Sequence, residues 1–302
     1  MKIKAILTAL FALGLSLALP ACARNDNKKD ALNSGVVQEQ PHGQEEQESE
    51  SPRLPELPEG GENIPEEGNG PGVSAPEEEK PAISVQPQPQ AERAEYIMPT
   101  ADGVNLRAGA GTDYKVVGTA EKNTMYALSR RVNGWYETVY KGEKAYISAA
   151  YCKSVLMDKS ETAAIESVIE EGCKYLGVKY VYGAVRYHDG SGNKLSGFTT
   201  SAFDCSSLIQ YIFKTGAGIN LQVNTRTQIY QGKTVAKSNL KRGDLLFFTN
   251  ASRKNLSGIE RVGHVALYLG DNYILHTASD YAKIEQISTT RWGYYIQAQR
   301  VI

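Results

Sequence analysis

The chain has little of what builds metal centres and disulfide frameworks. Its 302 residues include only four cysteines and four histidines. Cys22, Cys152, Cys173 and Cys205 form no C-x-x-C pair and no ligand cluster with the histidines, so neither a zinc site nor a disulfide scaffold is indicated. No metal and no cofactor is expected. A Cys152–Cys173 bridge is compatible with an extracellular protein, but two thiols are the simpler expectation. Cys173 lies on an apolar helical stripe with Ile165, Ile169 and Leu176. A membrane span is also missing. The apolar run from Ala5 to Leu19 falls short of the about 20 residues needed to cross a bilayer. Overall charge is nearly absent, at −1, and this hides an asymmetry. Residues 24–95 carry −11 and residues 96–302 carry +8, with Lys2 and Lys4 completing the total.

What is present divides the chain into four parts. Residues 1–23 read as a signal peptide, with Lys2 and Lys4 before the apolar run. Leu19-Pro20-Ala21-Cys22 resembles a lipoprotein box, with Cys22 as the lipidated residue; cleavage after Ala23 is the alternative and would give a freely secreted form. Residues 24–95 are rich in Glu, Gln, Pro and Gly and cannot bury a core, so a disordered acidic linker is expected. As a random coil it would reach about 50 Å. Residues 96–153 contain short strands with turn signals at Asn133-Gly134 and Lys141-Gly142, the pattern of a small β-barrel. Residues 160–302 hold the chemistry.

That chemistry centres on Cys205. Asp204 is a good helix N-cap, and Leu208, Ile209, Ile212 and Phe213 follow along one helical face. Cys205 therefore opens a buried helix, where unpaired N–H groups favour a nucleophilic thiolate. Downstream, His264 and His276 lie on two strands around a Gly270-Asp271-Asn272 turn. His264 is the candidate base and His276 its orienting partner. A two-residue Asp271-Asn272 turn without a bulge would pair Gly270 with Tyr273 and put the two histidines on opposite faces. A three-residue loop pairs Leu269 with Tyr273, places His276 opposite Ala266, and sets it diagonal to His264. A three-residue turn with a left-handed Asn272 is therefore expected.

The runs Gly177-Val178-Lys179-Tyr180-Val181-Tyr182-Gly183-Ala184, Phe203-Asp204-Cys205-Ser206-Ser207-Leu208, Leu240-Lys241-Arg242-Gly243-Asp244-Leu245-Leu246-Phe247-Phe248 and Gly263-His264-Val265, followed by His276, together resemble the NlpC-type cysteine peptidases. These are papain-like cell-wall endopeptidases, and the likeness covers about residues 162–302. The resemblance implies an α+β papain-like fold. It implies Cys205 as nucleophile, His264 as base and His276 as third residue, with Tyr180 at the oxyanion site and Asp204 and Ser206 helping to hold substrate. Tyr182, Ala184 and Ser207 depart from the usual residues, and insertions at Arg186–Ser201 and Thr249–Arg261 flank the cleft. Residues 96–153 resemble bacterial SH3-like domains.

The implied reaction is hydrolysis of the bond between D-glutamate and a diamino acid in peptidoglycan stem peptides. The alternatives are a wall-binding lipoprotein with a catalytically weak domain, an N-acetylmuramoyl-L-alanine amidase, and an acyl or peptidyl transferase. The expected setting is extracytoplasmic, at the membrane through Cys22 or in the wall. Anionic wall polymers are the partners suited to the basic half; nucleic acid is not expected, and neither is an oligomer.

Overall fold

The computed structural model describes residues 92–302. The expected signal segment, Cys22 and nearly all of the acidic linker lie outside the described residues. No helix among the described residues is long and apolar enough to cross a membrane.

Apart from a 3-10 turn at Ala149–Tyr151, the regular structure of the first half is strand: β1 (Arg93–Pro99), β2 (Val104–Arg107), β3 (Val116–Ala120), β4 (Tyr126–Ala127), β5 (Arg130–Val132), β6 (Trp135–Tyr140), β7 (Glu143–Ser148) and β8 (Cys152–Asp158). They form a three-stranded sheet, β4-β1-β8, and a five-stranded sheet, β3-β2-β7-β6-β5. The hairpin tips carry the left-handed pairs Asn133 and Gly134, and Lys141 and Gly142, which match the twist of the flanking strands. The boundaries differ from those expected. β1 begins inside the stretch assigned to the linker, and β8 runs through 153–158, which read as a connection. These two strands pair along their whole length, from Arg93↔Asp158 to Pro99↔Cys152. Only Met157 of β8 is fully buried, so backbone pairing rather than an apolar pattern defines the strand.

The second half is mixed. Its helices are α1 (Ala163–Cys173), α2 (Cys205–Ala217), α3 (Thr225–Gln228) and α4 (Thr289–Gly293). Its strands are β9 (Lys179–Tyr180), β10 (Ala202–Phe203), β11 (Lys233–Val235), β12 (Leu245–Phe248), β13 (His264–Gly270), β14 (Tyr273–Ala278), β15 (Tyr281–Gln286) and β16 (Tyr295–Arg300). They make one sheet in the order β10-β9-β15-β14-β13-β12-β16-β11. Helices α1 and α2 cover one face, where Ile165, Ile169, Leu208, Ile212 and Phe213 meet Val265, Leu267 and Leu275. The opposite face buries Phe248, Ala266 and Ile274 under Trp292 of α4. Cys152, Cys173 and Cys205 are free thiols.

The barrel and the mixed half share a continuous apolar core. The β6–β7 hairpin tip docks on the end of α1, where Lys141 and Gly142 donate their N–H groups to Leu176 and Lys174. Gly177 sits in the left-handed region against the Tyr140 ring, and a side chain there would run into that ring. Arg242 ties the halves together: it pairs with Glu166 at 2.7 Å and donates to the Tyr96 hydroxyl at 2.8 Å.

Candidate active site

Asp204 caps α2 as its composition suggests. Its Oδ1 accepts from the Ser207 N–H at 2.8 Å, and Ser207 Oγ accepts from the Asp204 N–H at 2.8 Å. This reciprocal box gives Ser207, a departure from the usual family residue, a structural task. Cys205 is then the first helical residue, so its own N–H has no carbonyl one turn back and remains available. The side chain is 8% exposed. The N–H groups of Ser206 and Val265 are directed at Sγ and favour the thiolate, but burial and the nearby Asp204 carboxylate outweigh them and push the thiol up to about 12.

The Val265 contact also places Sγ beside the start of β13, which carries His264. The β13–β14 hairpin brings the histidines together as a diagonal pair. Leu267 opposes Leu275 and Tyr268 opposes Ile274, which sets His276 across from Ala266. His264 Nε2 and His276 Nδ1 are 3.0 Å apart, with the rings at 82°. Register and the left-handed Asn272 are as expected, but the turn is built differently. Asp271 and Asn272 both have positive φ and form a two-residue turn that pairs Gly270 with Tyr273. A register shift between Tyr268 and Gly270 then restores the alignment. Gly270, at φ 95°, accommodates that bulge. Burial, the His276 ring and the Arg291 charge hold His264 well below the ordinary imidazole range. Burial also lowers His276, against the opposing hydrogen bond that Glu285 accepts from it.

Two residues at this site escaped sequence reasoning. Glu285 of β15 lies 3.0 Å from His276 Nε2, and Arg291 of α4 donates to the same carboxylate oxygen at 3.0 Å. The signal for Glu285 was the same diagonal rule applied to the next hairpin. His276 opposes Lys283 on β15, so Glu285, two residues on, shares its face. His264, His276 and Glu285 thus cross three neighbouring strands in one row. Arg291 carried no comparable signal, because a five-residue helix from a distant turn supplies it.

Tyr180 ends β9 beside Cys205. Burial, with the Asp204 carboxylate nearby, pushes its phenol up to about 12. At neutral pH it keeps its proton and can donate. Asp204 and Ser206 are beside Cys205 too, but their polar atoms turn inward. Asp204 Oδ1 takes Ser207 N–H and Ser206 Oγ, while Oδ2 takes Gly183 N–H at 3.1 Å and Arg186 Nη1 at 2.8 Å. Those four bonds fill its acceptor capacity. The carboxylate is thus engaged by the fold on both oxygens. Arg186, at the head of the first insertion, also reaches Ser206 Oγ at 3.2 Å and the carbonyls of Ala184 and Val223. That insertion is anchored on α2 by Gln210, which donates to the His188 and Leu221 carbonyls at 3.1 Å. The second insertion is held to α3 by Glu260 and Arg226 at 3.5 Å. A cavity of about 330 Å³ opens on the His264 side, lined by Tyr180, Phe248, Thr249, His264, Arg291 and Tyr294 among others.

With the geometry in place, the comparisons are informative. Residues 177–301 match the model of the NlpC/P60 family, and residues 102–153 match that of the bacterial SH3 domain. A γ-DL-glutamyl hydrolase of Bacillus subtilis is 30% identical over 165 residues, 54% of this chain and 35% of that protein. Peptidoglycan endopeptidase RipA of Mycolicibacterium smegmatis is 32% identical over 44% of this chain and 25% of its own length. A γ-D-glutamyl-L-lysine dipeptidyl-peptidase of Bacillus subtilis is 28% identical over 57% of this chain and 50% of its own length. The chain therefore spans a quarter to a half of these relatives.

Proposed function

We propose that the NlpC/P60 domain of this chain, preceded by a bacterial SH3 domain, is a cysteine endopeptidase that cuts peptidoglycan stem peptides at the γ-D-glutamyl–diamino acid bond. The observation that carries this reading is Cys205 at the start of α2, in contact with the β13 backbone at Val265, next to His264, whose Nε2 is 3.0 Å from His276. The names of the glutamyl-bond relatives support the choice of bond.

The chemistry follows from the site. His264 takes the thiol proton as Sγ attacks the amide carbonyl. The resulting oxyanion receives the free Cys205 N–H and the Tyr180 hydroxyl. His264 then returns the proton to the departing amine, leaving a thioester. Water, deprotonated by the same imidazole, hydrolyses the thioester and regenerates the thiol. Because the leaving amine must face His264, the diamino acid belongs in the cavity beyond that ring. Asp204 and Ser206 hold the start of α2 in place. No cofactor takes part.

In this reading the enzyme works outside the cytoplasm. The apolar N-terminal run supports export, and Cys22 supports a lipid anchor, with the acidic linker giving the catalytic half its reach. The test is incubation with L-Ala-γ-D-Glu tripeptides ending in lysine or diaminopimelate, and with intact sacculi. Release of L-Ala-γ-D-Glu, abolished by Cys205→Ser, is expected. Release of an intact stem peptide would instead assign an amidase. The mass of the mature N-terminus decides the fate of Cys22.

A further inference from the structure

We propose that Glu285 is a positioning residue that sets the tautomers of both site histidines and thereby leaves His264 Nδ1 free to act as the base. The proposal rests on the cysteine-peptidase reading of Cys205 and His264. It starts from hydrogen-bond inventory. An ionised carboxylate can only accept, and a neutral imidazole has one donor and one acceptor nitrogen. Glu285 Oε1 faces His276 Nε2 at 3.0 Å and Arg291 Nη2 at 3.0 Å. A cation and an imidazole on one oxygen leave that oxygen no role except acceptor.

His276 must therefore carry its proton on Nε2. Being neutral, it then has a bare Nδ1. That nitrogen lies 3.0 Å from His264 Nε2, so His264 must donate from Nε2. The remaining nitrogen of His264, Nδ1, is left with its lone pair. One carboxylate thus determines protonation at a ring two hydrogen bonds away. Without it, each ring could hold its proton on either nitrogen. The pair could equally run in reverse, with His276 Nδ1–H donating to a bare His264 Nε2. His264 would then present Nδ1–H to the thiol and could not take its proton.

The surroundings favour the stated direction. The charged groups around His276 are Glu285 and Lys283 on β15 and Arg291 on α4, and the neutral His264 ring on β13 faces it as the other titratable neighbour. Lys283 is engaged by Asp280 at 2.7 Å and Glu121 at 3.4 Å. Arg291 is held to Glu285 and lies over the Phe248 ring. The positive neighbours disfavour a second proton on either ring, and the Glu285 carboxylate fixes where the single proton sits. When His264 takes the thiol proton, the same carboxylate, two bonds away, stabilises the imidazolium.

Three variants of the full-length chain separate this role from a merely structural one. Glu285→Met removes the acceptor. Glu285→Gln keeps an amide oxygen, which Arg291 orients toward the same place, and removes only the charge. His276→Asn assists the spectral assignment. Two-bond ¹⁵N–¹H spectra of histidine-labelled protein at neutral pH should show His264 protonated on Nε2 in the native chain and in Glu285→Gln. Glu285→Met should show a mixed tautomer. Its kcat on a tripeptide should fall by at least about 10-fold, within the roughly 10²–10⁴-fold share of a general base, with KM little changed. Glu285→Gln should recover most of kcat, with the acid limb of its pH profile moved to lower pH. A native His264 protonated on Nδ1, or a folded Glu285→Met variant with the native tautomer and native kcat, would overturn the proposal. If Glu285→Met does not fold, the native tautomer and the Glu285→Gln limb decide it. The spectra need no substrate. A failure to cleave stem peptides would therefore count against the proposed function alone.

Discussion

Arg186→Met offers a quantitative test of how the start of α2, with Cys205, is held. The substitution removes the guanidinium from Asp204 Oδ2, 2.8 Å away, and from Ser206 Oγ. The Asp204 side chain is 5% exposed and that of Arg186 is 18% exposed, so the charge left behind stays out of water. Breaking a buried ion pair by removing one partner costs roughly 3–5 kcal/mol. Asp204 keeps three hydrogen bonds, from Gly183, Ser206 and Ser207, which argues for the lower end, about 3 kcal/mol. For a cooperative unit of this size each kcal/mol moves Tm by about 2–4 °C, so the expected drop is about 6–12 °C. Thermal unfolding followed by circular dichroism reads it. The double variant Arg186→Met/Asp204→Asn should recover at least about half of the loss, because an amide needs no counter-ion. Activity should fall in the single variant as the start of α2 shifts. A Tm within about 2 °C of the native value, or additive effects in the double variant, would refute the idea that Arg186 neutralises Asp204.

Further outcomes follow from the same geometry. Cys205→Ser should abolish peptide cleavage and leave Tm nearly unchanged, since the two side chains are close in shape but the alcohol is far less acidic; native-level turnover would remove Cys205 from the chemistry. His264→Ala should cost far more kcat than His276→Asn, because the first removes the proton carrier and the second leaves an amide oxygen able to accept from His264; equal losses in steady-state assays would contradict the roles assigned. Stability should depend on acid in a defined direction. His264 and His276 are depressed in the fold, so the unfolded chain binds protons first, and stability is lost as pH falls below about 6.5. Glu285, held down to about 2 by His276 and Arg291 against its own burial, adds a second loss as pH falls below its ordinary value of 4.5. Urea midpoints measured from pH 7.5 to 3, a rough working range, should decline in two stages, and a His264→Ala variant with an undiminished first stage would exclude the buried histidine as its source.

Much of the site could be read along the chain because it depends on local rules. A helix start is written in Asp204 and the apolar stripe after it, so Cys205 could be placed before any contact was known. Strand parity and turn residues carried the register that pairs His264 with His276. The turn itself was misread, because one bulge plus a two-residue turn and a single three-residue loop give the same alignment, and only the packing of Gly270 separates them. β8 was read as a connection because a strand held mainly by backbone pairing has no apolar pattern to reveal it.

The amino-acid order by itself determined that Cys205 opens a helix, the diagonal of the histidine pair and the two-part architecture, since each follows from neighbours a few residues apart. The tertiary structure alone decided the rest: that Arg186 closes the Asp204 carboxylate, that Arg291 stands behind Glu285 and His276, and that burial pushes the Cys205 thiol up. Those outcomes depend on which groups meet across the sheet and how much water remains around them. Neither quantity is encoded in the spacing of residues along the chain.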